Sequence, residues 1–191
     1  MSEGTLDRRA VVAELLRDPG ELLVVTGLGS TSYDAGAAGD RPRNFYLWGA
    51  MGGAAMIGLG LALAQPDRRV LVITGDGEML MGMGALATIA AKRPPNLAIA
   101  VMDNGRFGET GQQQSHTALG TDLAAVAAAC GWTATATAMD MDGVAALRPR
   151  LRREPLFAVI RISSAEVPRY LPPRDGALLA SRFRTSLGVA E

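Results

Sequence analysis

The chain has 191 residues, 48% of them hydrophobic and 20% charged, which fits one globular domain of roughly 100–200 residues. Lysine and arginine total 19 against 19 aspartates and glutamates, so no global charge draws the chain toward nucleic acid or a membrane surface. A lone cysteine, Cys130, excludes an intrachain disulfide and any multi-cysteine iron–sulfur or zinc site.

The N-terminal stretch MSEGTLDRRAV is charged and lacks the apolar segment of a secretion signal, so the expected compartment is the cytoplasm. TLDRRAVVAELLRD predicts a helix capped by Thr5 and stopped at Pro19-Gly20. ELLVVTG is a strand leading into a small-residue loop, GLGSTS, and NFYLW is a short strand. Residues 51–65 form a glycine-rich apolar helix, shorter than the ~20 residues that span a bilayer. RRVLVITG is a strand and EMLMGMGALATIAAK one helix. After Pro94-Pro95, NLAIAVMDN is a strand, followed by the polar loop GRFGETGQQQSHTALG. A helix from Asp122 to Cys130 follows, capped by Thr121, and then the strand WTATATAM. DGVAALRPRLRRE is a helix disturbed by Pro149, PLFAVIRI a last strand, and residues 176–187 a tail helix.

Continuous apolar strands alternating with helices predict an α/β fold: a three-layer αβα sandwich around a mostly parallel, six-stranded sheet, with residues 1–191 as one domain. Ligands of such sheets bind beyond the carboxyl ends of the strands. The loops that leave strands, at 27–32, 48–51, 75–78 and 104–117, also have the most unusual composition.

Asp76 stands between Gly75 and Gly77 where an apolar strand turns into a helix. The glycines let backbone approach a ligand, and the N–H groups of Gly77, Glu78 and Met79 face the helix N-terminus, where an anion is favoured. A second strand ends in Asp103-Asn104-Gly105. One strand–helix–strand unit carries both loops to the same sheet edge, making Asp76 and Asn104 candidate neighbours around a hard cation such as Mg²⁺, which takes oxygen ligands. A turn explains either motif alone; the paired arrangement favours the metal site.

GDGEMLMGMGALATIAAKRPPNLAIAVMDN, residues 75–104, resembles the signature of the thiamine diphosphate enzymes, and LWGAMGGAAMIGLGLALA upstream resembles their pyrimidine-holding segment. The resemblance runs over roughly residues 20–165. It implies a diphosphate-binding domain in which Asp76 and Asn104 hold Mg²⁺ through side chains and Arg106 through its backbone carbonyl. It implies that Met51 lies under the bent cofactor and that the Gly49 carbonyl meets the pyrimidine amine. Thr26, Gly27, Ser30 and Thr31 become the other wall of the diphosphate site. Gly75, Gly77, Glu78 and Phe107 complete the expected cofactor contacts.

The resemblance also implies a partner. Thiamine diphosphate enzymes place the glutamate that activates the cofactor in a pyrimidine domain, and Glu78 and Glu109 lie on the diphosphate side. An α subunit carrying that domain is therefore expected, in an α2β2 or larger heteromer. Size and motifs look most like the sulfopyruvate and phosphonopyruvate decarboxylases, which implies non-oxidative decarboxylation of a small 2-oxo acid. An acetolactate synthase-like carboligase subunit and a non-catalytic cofactor-binding module are the alternatives. His116, the only histidine, is a candidate proton donor, with Glu109 a second catalytic candidate. Arg169, Arg174, Arg182 and Arg184 suit an acidic substrate group, though an exposed amphipathic helix explains them equally well.

Overall fold

A computed structural model describes residues 4–189; the first three residues of the N-terminal stretch and the last two of the chain lie outside it. Six strands form one sheet in the order β2-β1-β3-β4-β8-β7, comprising β1 (Leu23–Thr26), β2 (Asn44–Tyr46), β3 (Val70–Gly75), β4 (Leu97–Asp103), β7 (Thr135–Ala138) and β8 (Leu156–Arg161). Every pairing within it is parallel. Strands β1, β3 and β4 are buried almost throughout, which is why they are apolar without alternation.

Side chains of successive strand residues point to opposite faces, and two cores result. Val24, Leu71, Ile73, Ala98 and Ala100 pack with α1 (Arg8–Leu15), α2 (Ser30–Ala37) and α7 (Met141–Leu151). Leu23, Val25, Val70, Val72, Ile99 and Val101 pack with α3 (Ala54–Ala64), α5 (Ala85–Lys92) and α6 (Leu123–Ala129). Gly58 brings α3 down onto β3: a Cβ there would stand 2.3 Å from Val72 Cγ2. The last helix, α8 (Gly176–Ser186), sends Leu179 to the first core and Phe183 to the second.

Several expectations need correction. The small-residue loop at 27–32 breaks off after three residues, because Ser30 already begins α2. The single helix expected over 78–92 is two, α4 (Asp76–Met81) and α5, separated at Gly82–Gly84. The break has a steric origin: Gly82 lies against the backbone of Gly52, where a Cβ would come within 2.2 Å of the Gly52 carbonyl oxygen. Helix α1 is capped by Asp7 rather than Thr5, and α6 by Asp122 rather than Thr121. In both the carboxylate accepts backbone N–H bonds that the hydroxyl residue stands too far out to receive. Pro149 lies inside α7 without ending it. The polar loop contains a small antiparallel hairpin, β5 (Arg106–Phe107) with β6 (Gln113–Gln114).

The register fixes the site. Thr26 is level with Ile73, Gly75 with Met102, and Asp103 with Arg161. The loops leaving β1, β3, β4 and β8 therefore open on one edge of the sheet. Among the described residues no helix is long and apolar enough to cross a membrane.

Candidate active site

A cleft lies at that edge, lined by Ser30 and Thr31 from the start of α2, Met51, Gly75–Glu78, Asn104, and Arg106–Glu109, with Arg8 and Asp34 at one side. Segments far apart in the chain meet there, two of which, 75–78 and 104–109, continue directly from β3 and β4.

Asp76 is 2% exposed and its Oδ2 accepts hydrogen bonds from Ser115 Oγ (2.5 Å) and Thr117 Oγ1 (3.2 Å). Thr117 has one hydroxyl proton, which it shares between Asp76 Oδ2 and the nearer Asp103 Oδ1, 2.8 Å away, and Asp103 Oδ2 pairs with Arg161 Nη1 at 2.7 Å. Burial raises the Asp76 pKa from 3.8 to about 6, and the charge of Asp103 adds to the rise; the Ser115 and Thr117 hydroxyls oppose it. Asn104 Oδ1 accepts the Arg106 N–H at 3.0 Å, an Asx turn that aims the loop along the cleft.

Glu78 is buried as a brace. Its Oε2 accepts from Thr74 Oγ1 at 2.9 Å and its Oε1 from the Ala54 N–H at 3.4 Å. Gly27 has no room for a side chain because a Cβ would lie 1.6 Å from Glu78 Oε2. One carboxylate thus ties β3, the 49–53 loop and the β1 loop together, and burial raises its pKa. The 49–53 loop itself is tight: Ala50 has φ 58° and Gly52 φ 87°, with the Gly53 N–H returned to the Ala50 carbonyl at 2.8 Å. That turn projects Met51 into the cleft.

The remaining sequence-derived residues divide in two. Phe107 lies over Gly77, where a Cβ would stand 2.6 Å from its ring, and Glu109 lies against Gly29. Thr26 is buried behind the wall, its hydroxyl 2.7 Å from Ser32 Oγ, and Gly27 shapes the wall by accepting the Thr31 hydroxyl at 2.8 Å. Gly49 is exposed outside the cleft lining. His116 is also exposed and away from the lining, edge-on to Phe107 with ring centroids 6.2 Å apart. Of the C-terminal arginines, Arg169 lies over Tyr33, Arg174 over Trp48 and Arg182 over Tyr46. These contacts strap the C-terminal segment to α2 and β2, and Trp48 Nε1 adds a bond to the Pro173 carbonyl at 2.9 Å. Arg169 borders a second recess beside the cleft; Arg184 lies in the last turn of α8.

Sequence reading missed Arg8 and Asp34, a buried ion pair at the cleft wall, in which burial outweighs Arg8 and Arg9 and raises the carboxyl pKa. Nothing marks Arg8 in a helix whose neighbours are also charged. It missed Ser115 and Thr117 too. Their only signal was a pair of small hydroxyl residues flanking His116, and the structure places them at the start of a turn, with the Ala118 N–H bonded to the Ser115 carbonyl at 3.1 Å.

The donor chemistry suits a hard cation. Asp76 and Asn104 present oxygen, and among the described residues no group of three or more histidines, cysteines or acids surrounds a common point. A cation held here needs further oxygens from backbone or from an anionic ligand, as Mg²⁺ with phosphate does. Gly75 leaves open space where a Cβ would lie, room for such a ligand.

These features define an oxygen-lined cleft at the carboxyl edge of a parallel sheet, and the chain belongs to the thiamine pyrophosphate enzyme family: its residues 27–162 match the C-terminal TPP binding domain. Among individual proteins it is 41% identical over 122 residues to the sulfopyruvate decarboxylase subunit beta of Methanocaldococcus jannaschii, covering 63% of this chain and 64% of that one. It is 43% identical over 142 residues to the phosphonopyruvate decarboxylase of Streptomyces hygroscopicus, covering 74% of this chain and 35% of the relative. The benzoylformate decarboxylase of Polynucleobacter necessarius shares the fold, with a TM-score of 0.73 at 18% identity over 85% of this chain and 34% of that one.

Proposed function

We propose that this chain is the diphosphate-binding subunit of a thiamine diphosphate-dependent, non-oxidative decarboxylase of small 2-oxo acids, of the sulfopyruvate and phosphonopyruvate type. The observation that carries the reading is the convergence of Asp76, Asn104, Arg106, Gly75 and Met51 on one cleft at the sheet's carboxyl edge. The names of the relatives supply the reaction class.

Asp76 and Asn104 would hold Mg²⁺ by side-chain oxygens and Arg106 by its carbonyl. Ser30, Thr31 and the Gly75–Glu78 backbone would flank the diphosphate, with Met51 beneath the cofactor. The bound cofactor supplies a carbanion and an electron sink for loss of CO₂. Glu109 lines the cleft and is the candidate to contact substrate; His116 would reach it only if the loop turns inward.

A partner α subunit supplies the pyrimidine-side glutamate in this reading. Support comes from the rim of the cleft. Gly52 touches Gly82, bringing Met51 beside exposed Met81 and Met83, and Met56 is exposed one turn into α3. Helix α3 is apolar on all sides, a pattern expected of a covered helix. A partner carrying the other half of the cofactor site has to seat on this rim.

The test is co-expression with a candidate α subunit. The heteromer is expected to release CO₂ from a 2-oxo acid with Mg²⁺ and thiamine diphosphate and to yield the aldehyde. Full turnover by this chain alone would overturn the split-site reading. A two-substrate condensation product would move the assignment to a carboligase.

A further inference from the structure

We infer that Ser115 and Thr117 are positioning residues for the cation site: their hydroxyls hold one oxygen of Asp76 so that the other is aimed into the cleft. The inference rests on the cleft reading above. Both residues are 0% exposed, whereas His116 between them and Gln113 and Gln114 before them are exposed. Polar side chains are rarely sealed from water without a bonding duty. Here the duty is specific. Ser115 Oγ lies 2.5 Å from Asp76 Oδ2 and 2.8 Å from Thr117 Oγ1, and Thr117 Oγ1 lies 2.8 Å from Asp103 Oδ1.

The far end of this chain of bonds is rigid. Asp103 accepts the Gly105 N–H at 3.0 Å and pairs with Arg161 on β8. Ser115 donates to Oδ2 of Asp76, and the Thr117 hydroxyl, anchored on Asp103, lies 3.2 Å from the same oxygen; together they fix the carboxylate's rotation and leave Oδ1 for a cation. Residues that orient a ligand in this way govern metal affinity although they do not touch the metal.

The same bonds close a loop. The Ser115 N–H donates to the Gly105 carbonyl at 2.9 Å, forming the neck of residues 105–115, whose Phe107 and Glu109 line the cleft. Its tip faces solvent and is bonded almost wholly within itself: residues 108–114 are exposed, with Gly111 at φ 116° and Gln112 at φ 62°, and the tip's bonds run among Arg106, Phe107, Thr110, Gln112 and Gln113. Seating a cation on Asp76 therefore stiffens the loop, and loosening the loop weakens the cation, because coupling between two sites is reciprocal.

The experiment uses the full chain and titrates Mg²⁺ calorimetrically with thiamine diphosphate present. Amide hydrogen exchange over residues 106–114 is followed before and after, and melting temperature is the folding control. S115A is expected to weaken Mg²⁺ about ten- to a hundredfold. T117V, acting mainly through Asp103, should weaken it less, and S115T should restore most of the affinity. Loop amides of the wild type should gain protection on loading, and those of S115A should not. T117V carries the test by itself where S115A does not fold. Wild-type affinity and wild-type protection in a folded variant overturn the inference and leave the cofactor reading intact. Failure of the wild-type chain to bind Mg²⁺ and thiamine diphosphate, alone and with a partner subunit, overturns both.

Discussion

The two edges of the sheet are built from opposite chemistry. At the amino edge, arginines close helix ends. Arg69 donates to the carbonyls of Leu151, Pro95 and Glu154, Arg152 to those of Leu15, Arg17 and Asp18, and Arg68 to those of Ser186 and Leu187. The two N–H donors of the Asn96 amide are shared among the carbonyls of Ala62, Gln65 and Arg68, all within 3.0 Å. Each satisfies carbonyls that a helix end or strand entry leaves unpaired, and the planar fork of arginine suits the task. At the carboxyl edge the buried charged groups are mostly acids. Asp34, Asp76 and Glu78 all have raised pKa values, with burial the largest cause. One edge spends its charges on backbone and gains stability. The other keeps carboxylates out of water around a cleft, a cost tolerated where a site is needed.

Separating the two edges by mutation is the most direct way to break the comparison. The largest effect is expected from Asp76→Ala, which should abolish measurable Mg²⁺-dependent binding of thiamine diphosphate while the chain still folds. Unchanged affinity would remove Asp76 from the site. Next, Arg69→Met should destabilise by about 3 kcal/mol, because carbonyls lose a charged donor, with cofactor affinity per folded molecule unchanged in calorimetric titration. A matching loss of affinity would show that the edges are not independent.

The pH response sharpens the contrast. Asp76 has an unfolded value near 3.8 and a folded value of about 6, so the metal-free folded chain binds the extra proton between them. Its stability should therefore fall as pH rises from about 4 to 6, by roughly 2 kcal/mol from this group, at 1.36 kcal/mol per pKa unit and with solvent relaxation discounted. Asp34 and Glu78 act in the same direction. Denaturant midpoints across that range should show the slope in wild type and much less of it in Asp76→Asn; an equal slope would assign it elsewhere. The smallest effect, about 1 kcal/mol, is expected for Gly77→Ala, whose Cβ pushes the Phe107 ring aside. Its signature in chemical denaturation is a modest loss that cofactor binding does not restore.

Much of this was legible in the residues. The apolar runs gave parallel strands, and GDG with DN gave two loops on one edge, because strand period and turn chemistry are local properties. Local reading failed where a distant residue decides the outcome. The break between α4 and α5 exists because Gly82 meets Gly52, and no window around residue 82 contains that contact. Glu78 looked like a helix-terminus ligand contact. The fold also makes it a brace across Gly27, Thr74 and Ala54, since its carboxylate is sealed among them. Ser115 and Thr117 sit in a polar loop that reads as solvated, yet both are buried against Asp76.

By itself the sequence determined the α/β class, the order of the strands' chemistry and the pair of acid- and amide-bearing loops, since periodicity and glycine placement act over a few residues. Tertiary structure alone decided which hydroxyls hold Asp76, which glutamate braces and which lines the cleft, and which edge carries the arginine caps. Those outcomes depend on atoms brought within hydrogen-bonding distance from far apart in the chain, and only the packed sheet sets those distances.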